Sequence, residues 1–155
     1  LITNNTSSKG ITGHAAIANS DNYILDMPGT GRRPAKSNNR QSTVSSWLKE
    51  YDNSGKYVKV YRLKDQDMAK RVARYADRNY YSTTGSATKN IQLDYGIDYH
   101  LYQKSPSYCS KLVYQAYYFG SGAAKVVYPK NGFVAPYFLI GTFTANYKPQ
   151  LKKTF

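Results

Sequence analysis

A single cysteine, Cys109, stands among 155 residues, and this removes both covalent routes to a fold. One thiol closes no internal disulfide and cannot hold a metal with other cysteines. His14 and His100 leave little for a zinc site. The chain must therefore fold by burying a core. Its length suffices, since a domain of this size buries roughly 70% of the surface its unfolded form exposes. With 41% hydrophobic and 20% charged residues, it reads as one globular domain over residues 1–155. No apolar run approaches the length of a membrane span.

Charge narrows the partners. Twenty-two Lys and Arg face nine Asp and Glu, a formal charge of +13, and Glu50 is the only glutamate. Such a surface attracts polyanions: an acidic cell-wall polymer, an anionic lipid surface in peripheral contact, or nucleic acid. The basic residues are dispersed, without zinc-finger spacing, heptads or a concentrated arm, so no specific nucleic-acid site is read. A basic chain without cysteine pairs suits an exported bacterial protein, secreted or held at the cell surface. Leu1-Ile2-Thr3 reads as a strand. With no initiator Met and no signal-peptide pattern, the sequence reads as a processed or trimmed product lacking a few residues in front.

Hydrophobic patterning predicts an α+β domain, a small antiparallel sheet packed with helices. Residues 4–13 are rich in Asn, Thr, Ser and Gly and read as loop. His14–Ala18 and Tyr23–Met27 read as a hairpin around the polar turn Asn19–Asn22, stopped by Pro28 and Gly29. Gly31–Gln41 is basic and irregular. Thr43 or a neighbouring Ser is placed to cap a short helix to about Glu50, with Val44, Trp47 and Leu48 on one face. Tyr57–Leu63 reads as a strand. A helix follows from Asp65 to about Tyr80, on the spacing of Met68, Val72, Tyr75 and Ala76. The clearest helix runs Cys109–Phe119, with Ser107 as N-cap and Gly120 as stop. Beyond it come a short strand at Ala124–Tyr128, an apolar run Phe138–Ile140, and a loose basic tail over 148–155.

Three residues carry chemistry. Cys109 falls in the first turn of its helix, where free amides and the helix dipole favour thiolate over thiol. A buried inert thiol is the other reading of the same position. His14 heads a strand of small residues, with room to face a cleft or to sit hydrogen-bonded at a strand edge. Asp26, between Leu25 and Met27, is a carboxylate in an apolar setting and needs a partner. A loop at residues 20–22 would set Ala16 opposite Asp26 and bring His14 to the same face. A nucleophile, a base and an orienting carboxylate make an acyl-transfer set, and the Cys109 amide offers one oxyanion donor. His100 is a rival base. Tyr108 and Arg32 are candidate substrate contacts. Trp47, Tyr95 and Tyr99 read as core or cleft walls.

Gly13-His14-Ala15-Ala16-Ile17, Ile24-Leu25-Asp26, Trp47 and Tyr108-Cys109-Ser110-Lys111-Leu112-Val113 together resemble the circularly permuted papain-like enzymes related to the NlpC/P60 cell-wall peptidases, among them the YiiX/YebB-like group. Histidine precedes cysteine here, as in the permuted order. The resemblance covers nearly the whole chain. It implies a permuted papain-like fold, with Cys109 as nucleophile, His14 as base and Asp26 as third member of a Cys-His-Asp triad. It implies a cysteine amidase or peptidase without cofactor or metal, forming an acyl-enzyme on an amide bond of a peptidoglycan stem peptide. The alternatives are a lipid amide or ester hydrolase or an acyltransferase on the same fold, or a non-catalytic basic binding module whose tyrosines stack on a ligand. Lys111 departs from the pattern, since the family often has Glu there, and so alters what could approach the site.

Overall fold

A computed structural model describes residues 1–6 and 13–155; the part of the expected first loop at 7–12 lies outside the described residues. Among the described residues, six strands form one open sheet in the order β4-β3-β2-β1-β5-β6, all neighbours antiparallel. They are β1 (Ile2–Thr3), β2 (His14–Ala18), β3 (Tyr23–Asp26), β4 (Arg40–Thr43), β5 (Val58–Arg62) and β6 (Gln150–Thr154). The hairpin is β2–β3, with Ala16 opposite Asp26, which is the register a loop at 20–22 requires.

Helix α1 (Val44–Tyr51) packs against one face of the sheet, and α2 (Gln66–Tyr80) and α3 (Cys109–Gly120) against the other. Alternation along β2 makes this possible, because successive side chains point to opposite faces. Ala16 joins Ile24, Trp47 and Val58 under α1. Ala15 and Ile17 join Leu25, Leu112 and Val113 under α2 and α3. Full burial of a side chain such as Leu112 or Val113 stabilises by about 1.5–3 kcal/mol.

Both early helices begin as their caps dictate. The Thr43 hydroxyl accepts the N–H of Ser46, and the Asp65 carboxylate accepts that of Met68. Helix α3 begins differently from expectation. Tyr108, not Ser107, is its N-cap residue, and no side chain caps it. Its first-turn amides are therefore not consumed by a capping side chain.

Three further expectations change. The small papain-like sheet is replaced by an open six-stranded one, because two polar segments add strands at its edges. Arg40–Thr43 extends β3, and Gln150–Thr154, expected as loose tail, pairs with β5. The expected strand at 124–128 is reduced to one bridge, Val127 to Phe143, and the apolar run 138–140 lies in a 3-10 turn spanning Pro136–Thr142.

Candidate functional site

Strand β2 and helix α3 bring His14 and Cys109 together. Both are buried, 3% exposed each. The His14 Nε2 lies 2.8 Å from Asp26 Oδ2, which leaves Nδ1 for the thiol. The thiol lies close enough to the imidazole, and to the Ala15 backbone N–H, for both to favour its thiolate form. Strand β2 thus presents His14 to the thiol and supports the thiolate with its next amide.

The protonation states follow from this packing. Burial alone would push the His14 pKa down, but the hydrogen bonds and negative charge of Asp26 and Cys109 outweigh it and raise it to about 9. Burial would push Cys109 up, yet the His14 hydrogen bond and charge, with the Ala15 amide, bring it below the usual thiol range. Both shifts run toward the thiolate–imidazolium form of the pair, the activated form of a cysteine nucleophile.

Asp26 does more than face His14. Its Oδ2 also accepts from Trp47 Nε1 at 2.9 Å and from the Tyr51 hydroxyl at 3.4 Å. Arg40, placed opposite it by the β3–β4 register, donates Nε to Oδ1 at 2.9 Å. Burial favours the neutral acid, but His14 and Arg40 hold the carboxyl at about 2. Arg40 and Arg32 both bond Glu50, at 3.1 and 3.0 Å. Charges alternate along the line Arg32, Glu50, Arg40, Asp26, His14, Cys109. The rings of His14, Tyr51 and Trp47 stack beside it, at 4.9 Å and 4.4 Å between neighbouring centroids.

The remaining sequence candidates divide. Arg32 joins this network and lies 4.6 Å from the Tyr51 ring centroid, so its guanidinium is engaged within the chain. Tyr108 is fully buried, accepts the Val134 N–H and stacks on Phe133. It forms a wall behind Cys109. His100 is exposed in its loop, and no contact ties its ring to Cys109. Lys111 points away from the reaction centre. It is buried and donates to Asp98 at 3.2 Å and to the Pro106 carbonyl at 2.8 Å. It anchors the preceding loop and does not set the charge of the site.

Sequence reasoning missed Arg40, Tyr51 and Glu50 as site residues and read Trp47 as core or cleft wall. The available signals were the uniqueness of Glu50 and the four-residue step from Trp47 to Tyr51, which places both on one helical face. A cleft of about 1060 Å³ lies elsewhere: it runs past Ala18, Arg62 and Leu63, and neither Cys109, His14 nor Asp26 lines it.

Comparison with known proteins corrects the expected identity. The sequence model of the lipoprotein N-acylation proteins described as LnsA-like matches residues 1–155. An "uncharacterized 30.3 kDa protein" of Bacillus thuringiensis is 64% identical over all 155 residues, which make up 56% of that protein. The chain thus spans little more than half the length of this relative. No solved structure matches.

The NlpC/P60 and YiiX-like assignment, its permuted papain-like fold and the peptidoglycan amidase are overturned by the family match. So is the cysteine amidase or peptidase with a Cys-His-Asp triad. Among the described residues no group of three His, Cys, Asp or Glu could hold a metal. Asp26, moreover, is shared among His14, Arg40, Trp47 and Tyr51 and does not serve the histidine alone. The match over its full length shows that the chain belongs to the LnsA-like family of lipoprotein N-acylation proteins.

Proposed function

We propose that this domain carries an acyl-transfer site in which Cys109 is the transient acyl carrier. The observation that carries the reading is the buried Cys109 thiol set beside His14, whose Nε2 is held 2.8 Å from Asp26 Oδ2. It is joined to membership of a family described by N-acylation. The family description suggests a lipid ester as donor and a lipoprotein amine as acceptor.

The chemistry balances with two protein groups. The Cys109 sulfur attacks the donor carbonyl carbon, the ester C–O bond breaks, and the leaving alkoxide takes the proton from the His14 imidazolium. The product is a thioester and a free alcohol. An amine then attacks the thioester carbonyl, the C–S bond breaks, and the amine proton passes to neutral His14. Thiolate and imidazolium are restored and the acyl group sits on nitrogen. Asp26 holds the ring and stabilises its cation; Arg40 in turn holds Asp26 ionised.

Burial supports transfer over hydrolysis. A thioester on Cys109, a residue 3% exposed, is shielded from bulk water, which competes with the amine for the acyl group. Incubation with a soluble activated acyl ester should add one acyl group to Cys109, seen by intact mass and peptide mapping. His14→Ala should slow this at least a hundredfold. Acylation that persists at full rate without His14, or that lands on lysines only, contradicts the reading.

A further inference from the structure

Tyr51, the last residue of α1, is fully buried and meets the site through both its ring and its hydroxyl. The ring lies nearly parallel to the His14 imidazole, with 4.9 Å between centroids and 14° between planes. The hydroxyl donates to Asp26 Oδ2 at 3.4 Å and accepts from Arg40 Nη2 at 3.2 Å. Trp47, one helical turn back, packs on the same ring at 4.4 Å.

Local structure makes this ring a fixed platform. Trp47 and Tyr51 are the buried residues of α1, so the helix is anchored to the sheet through them. His14 and Ala16 share one face of β2, and Ala16 belongs to the same cluster as Trp47 and Tyr51. Asn5 donates Nδ2 to the Tyr51 carbonyl at 3.1 Å and accepts from Arg32 Nη2 at 3.0 Å. The Arg32 guanidinium lies 4.6 Å from the Tyr51 ring centroid, with its charge met by Glu50 at 3.0 Å.

His14 needs such a platform, because the torsion that turns a histidine ring is soft. The contact of Nε2 with Asp26 fixes one corner of the ring and leaves its plane free to swing. A swing carries Nδ1 away from Cys109. A parallel aromatic face removes that freedom, and its electron-rich centre attracts the imidazole once it is charged. The hydroxyl contributes less. Asp26 meets His14, Trp47 and Arg40 at 2.8, 2.9 and 2.9 Å, and a 3.4 Å contact adds little to those.

We propose that the Tyr51 ring is the positioning element of His14: it holds the imidazole plane on Cys109 and favours the charged ring. This rests on the acyl-transfer reading only in calling His14 the base, because the stacking needs no substrate. The charged and titratable groups around His14 come from every neighbouring element. They are Asp26 from β3, Arg40 from β4, Cys109 from α3, Glu50 and Tyr51 from α1, and Arg32 from the loop after β3. Arg32 and Arg40 are matched by carboxylates. Burial and the Asp26 charge push the Tyr51 phenol up, so its ring faces the imidazole as a neutral partner.

The pH profile of Cys109 alkylation by iodoacetamide tests it. Tyr51→Leu removes the ring and should raise the alkylation midpoint by about one pH unit. The rate on the acid side then falls about tenfold, while the alkaline plateau, where the thiol is already ionised, stays in place. Tyr51→Phe keeps the ring and should bring the rate back to within about threefold of the unsubstituted protein. Tyr51→pentafluorophenylalanine keeps the shape but reverses the charge of the ring face, and should run about tenfold below Tyr51→Phe on the acid side. That isosteric pair decides the matter if Tyr51→Leu does not fold. A loss in Tyr51→Phe as large as in Tyr51→Leu overturns the proposal. So do equal rates for the two phenyl rings, or a loss that includes the alkaline plateau. Iodoacetamide needs no acyl donor. A chain that alkylates as expected yet takes no acyl group from a soluble ester keeps the Tyr51 role and loses the acyl-transfer reading.

Discussion

Arg40 takes both oxygens of Asp26, with Nε 2.9 Å from Oδ1 and Nη2 3.3 Å from Oδ2. This fork keeps the carboxylate charged in a buried place, where desolvation alone would neutralise it. A group whose folded pKa is depressed stabilises the fold above its unfolded pKa, about 3.9, and loses that contribution as pH falls toward about 2. Arg40→Met should move this acid loss of stability to higher pH, as read from thermal midpoints along a pH series. Arg40→Lys should restore little, because a point charge cannot engage Asp26 and Glu50 as the fork does.

Removing the carboxylate charge should cost more than removing any one of its donors. Asp26→Asn leaves Arg40 without its anion and the Trp47 and Tyr51 donors facing a weaker acceptor. Breaking a buried pair in this way destabilises by about 3 kcal/mol. Calorimetry should show a clear fall in melting temperature. An unchanged midpoint would mean that Asp26 is not the hub its contacts describe.

The thiol should titrate with its partner. Cys109 should alkylate as thiolate well below the ordinary thiol pKa of about 8.5, because His14 supplies the positive charge. In His14→Ala the main opposition to desolvation is gone, leaving only the Ala15 amide and Ser110, and the alkylation pKa should rise to that value or above. The imidazolium persists to about pH 9. Above it, acyl transfer from an ester should decline while alkylation does not, since only transfer needs the imidazolium proton. The His14 contribution to stability is fully present below its unfolded pKa of about 6.5 and is lost as pH rises through about 9.

Gly13 is a position where only glycine fits. Its φ is +87°, and a Cβ there would stand 2.8 Å from the Tyr137 ring and 3.1 Å from the Thr3 carbonyl. Gly13→Ala should destabilise the protein by about 2 kcal/mol and displace His14, the next residue. Chemical denaturation checks the first effect, and a slower Cys109 alkylation the second.

The readable parts of the sequence were those where local chemistry coincides with the final structure. Thr43 and Asp65 cap their helices in sequence and in space. The polar turn between Ala18 and Tyr23 marked the hairpin; its register, only assumed from a loop at 20–22, is the one that places Asp26 within reach of His14. Strands β4 and β6 were illegible because their stability comes from a partner. Arg40-Gln41-Ser42-Thr43 and Gln150–Thr154 are polar edge strands with no alternating apolar pattern. Missing β4 meant missing Arg40, whose role exists only across the β3–β4 pairing. Lys111 misled for a related reason. Its position beside Cys109 in sequence suggested a charge at the site, but helical geometry sends its side chain to Asp98. The family misassignment came from residue types around the cysteine and histidine, which many acyl-transfer chemistries share.

The central claim is that the acyl group reaches nitrogen through Cys109. The most direct measurement offers the protein an acyl ester together with a peptide bearing a free N-terminal amine, and quantifies acyl-peptide, free acid and acyl-protein by mass spectrometry. Transfer predicts a transient acyl group on Cys109 followed by acyl-peptide in excess of free acid, both lost in Cys109→Ala. Free acid as the main product, or acyl-peptide formed equally by the Cys109→Ala variant, would contradict it.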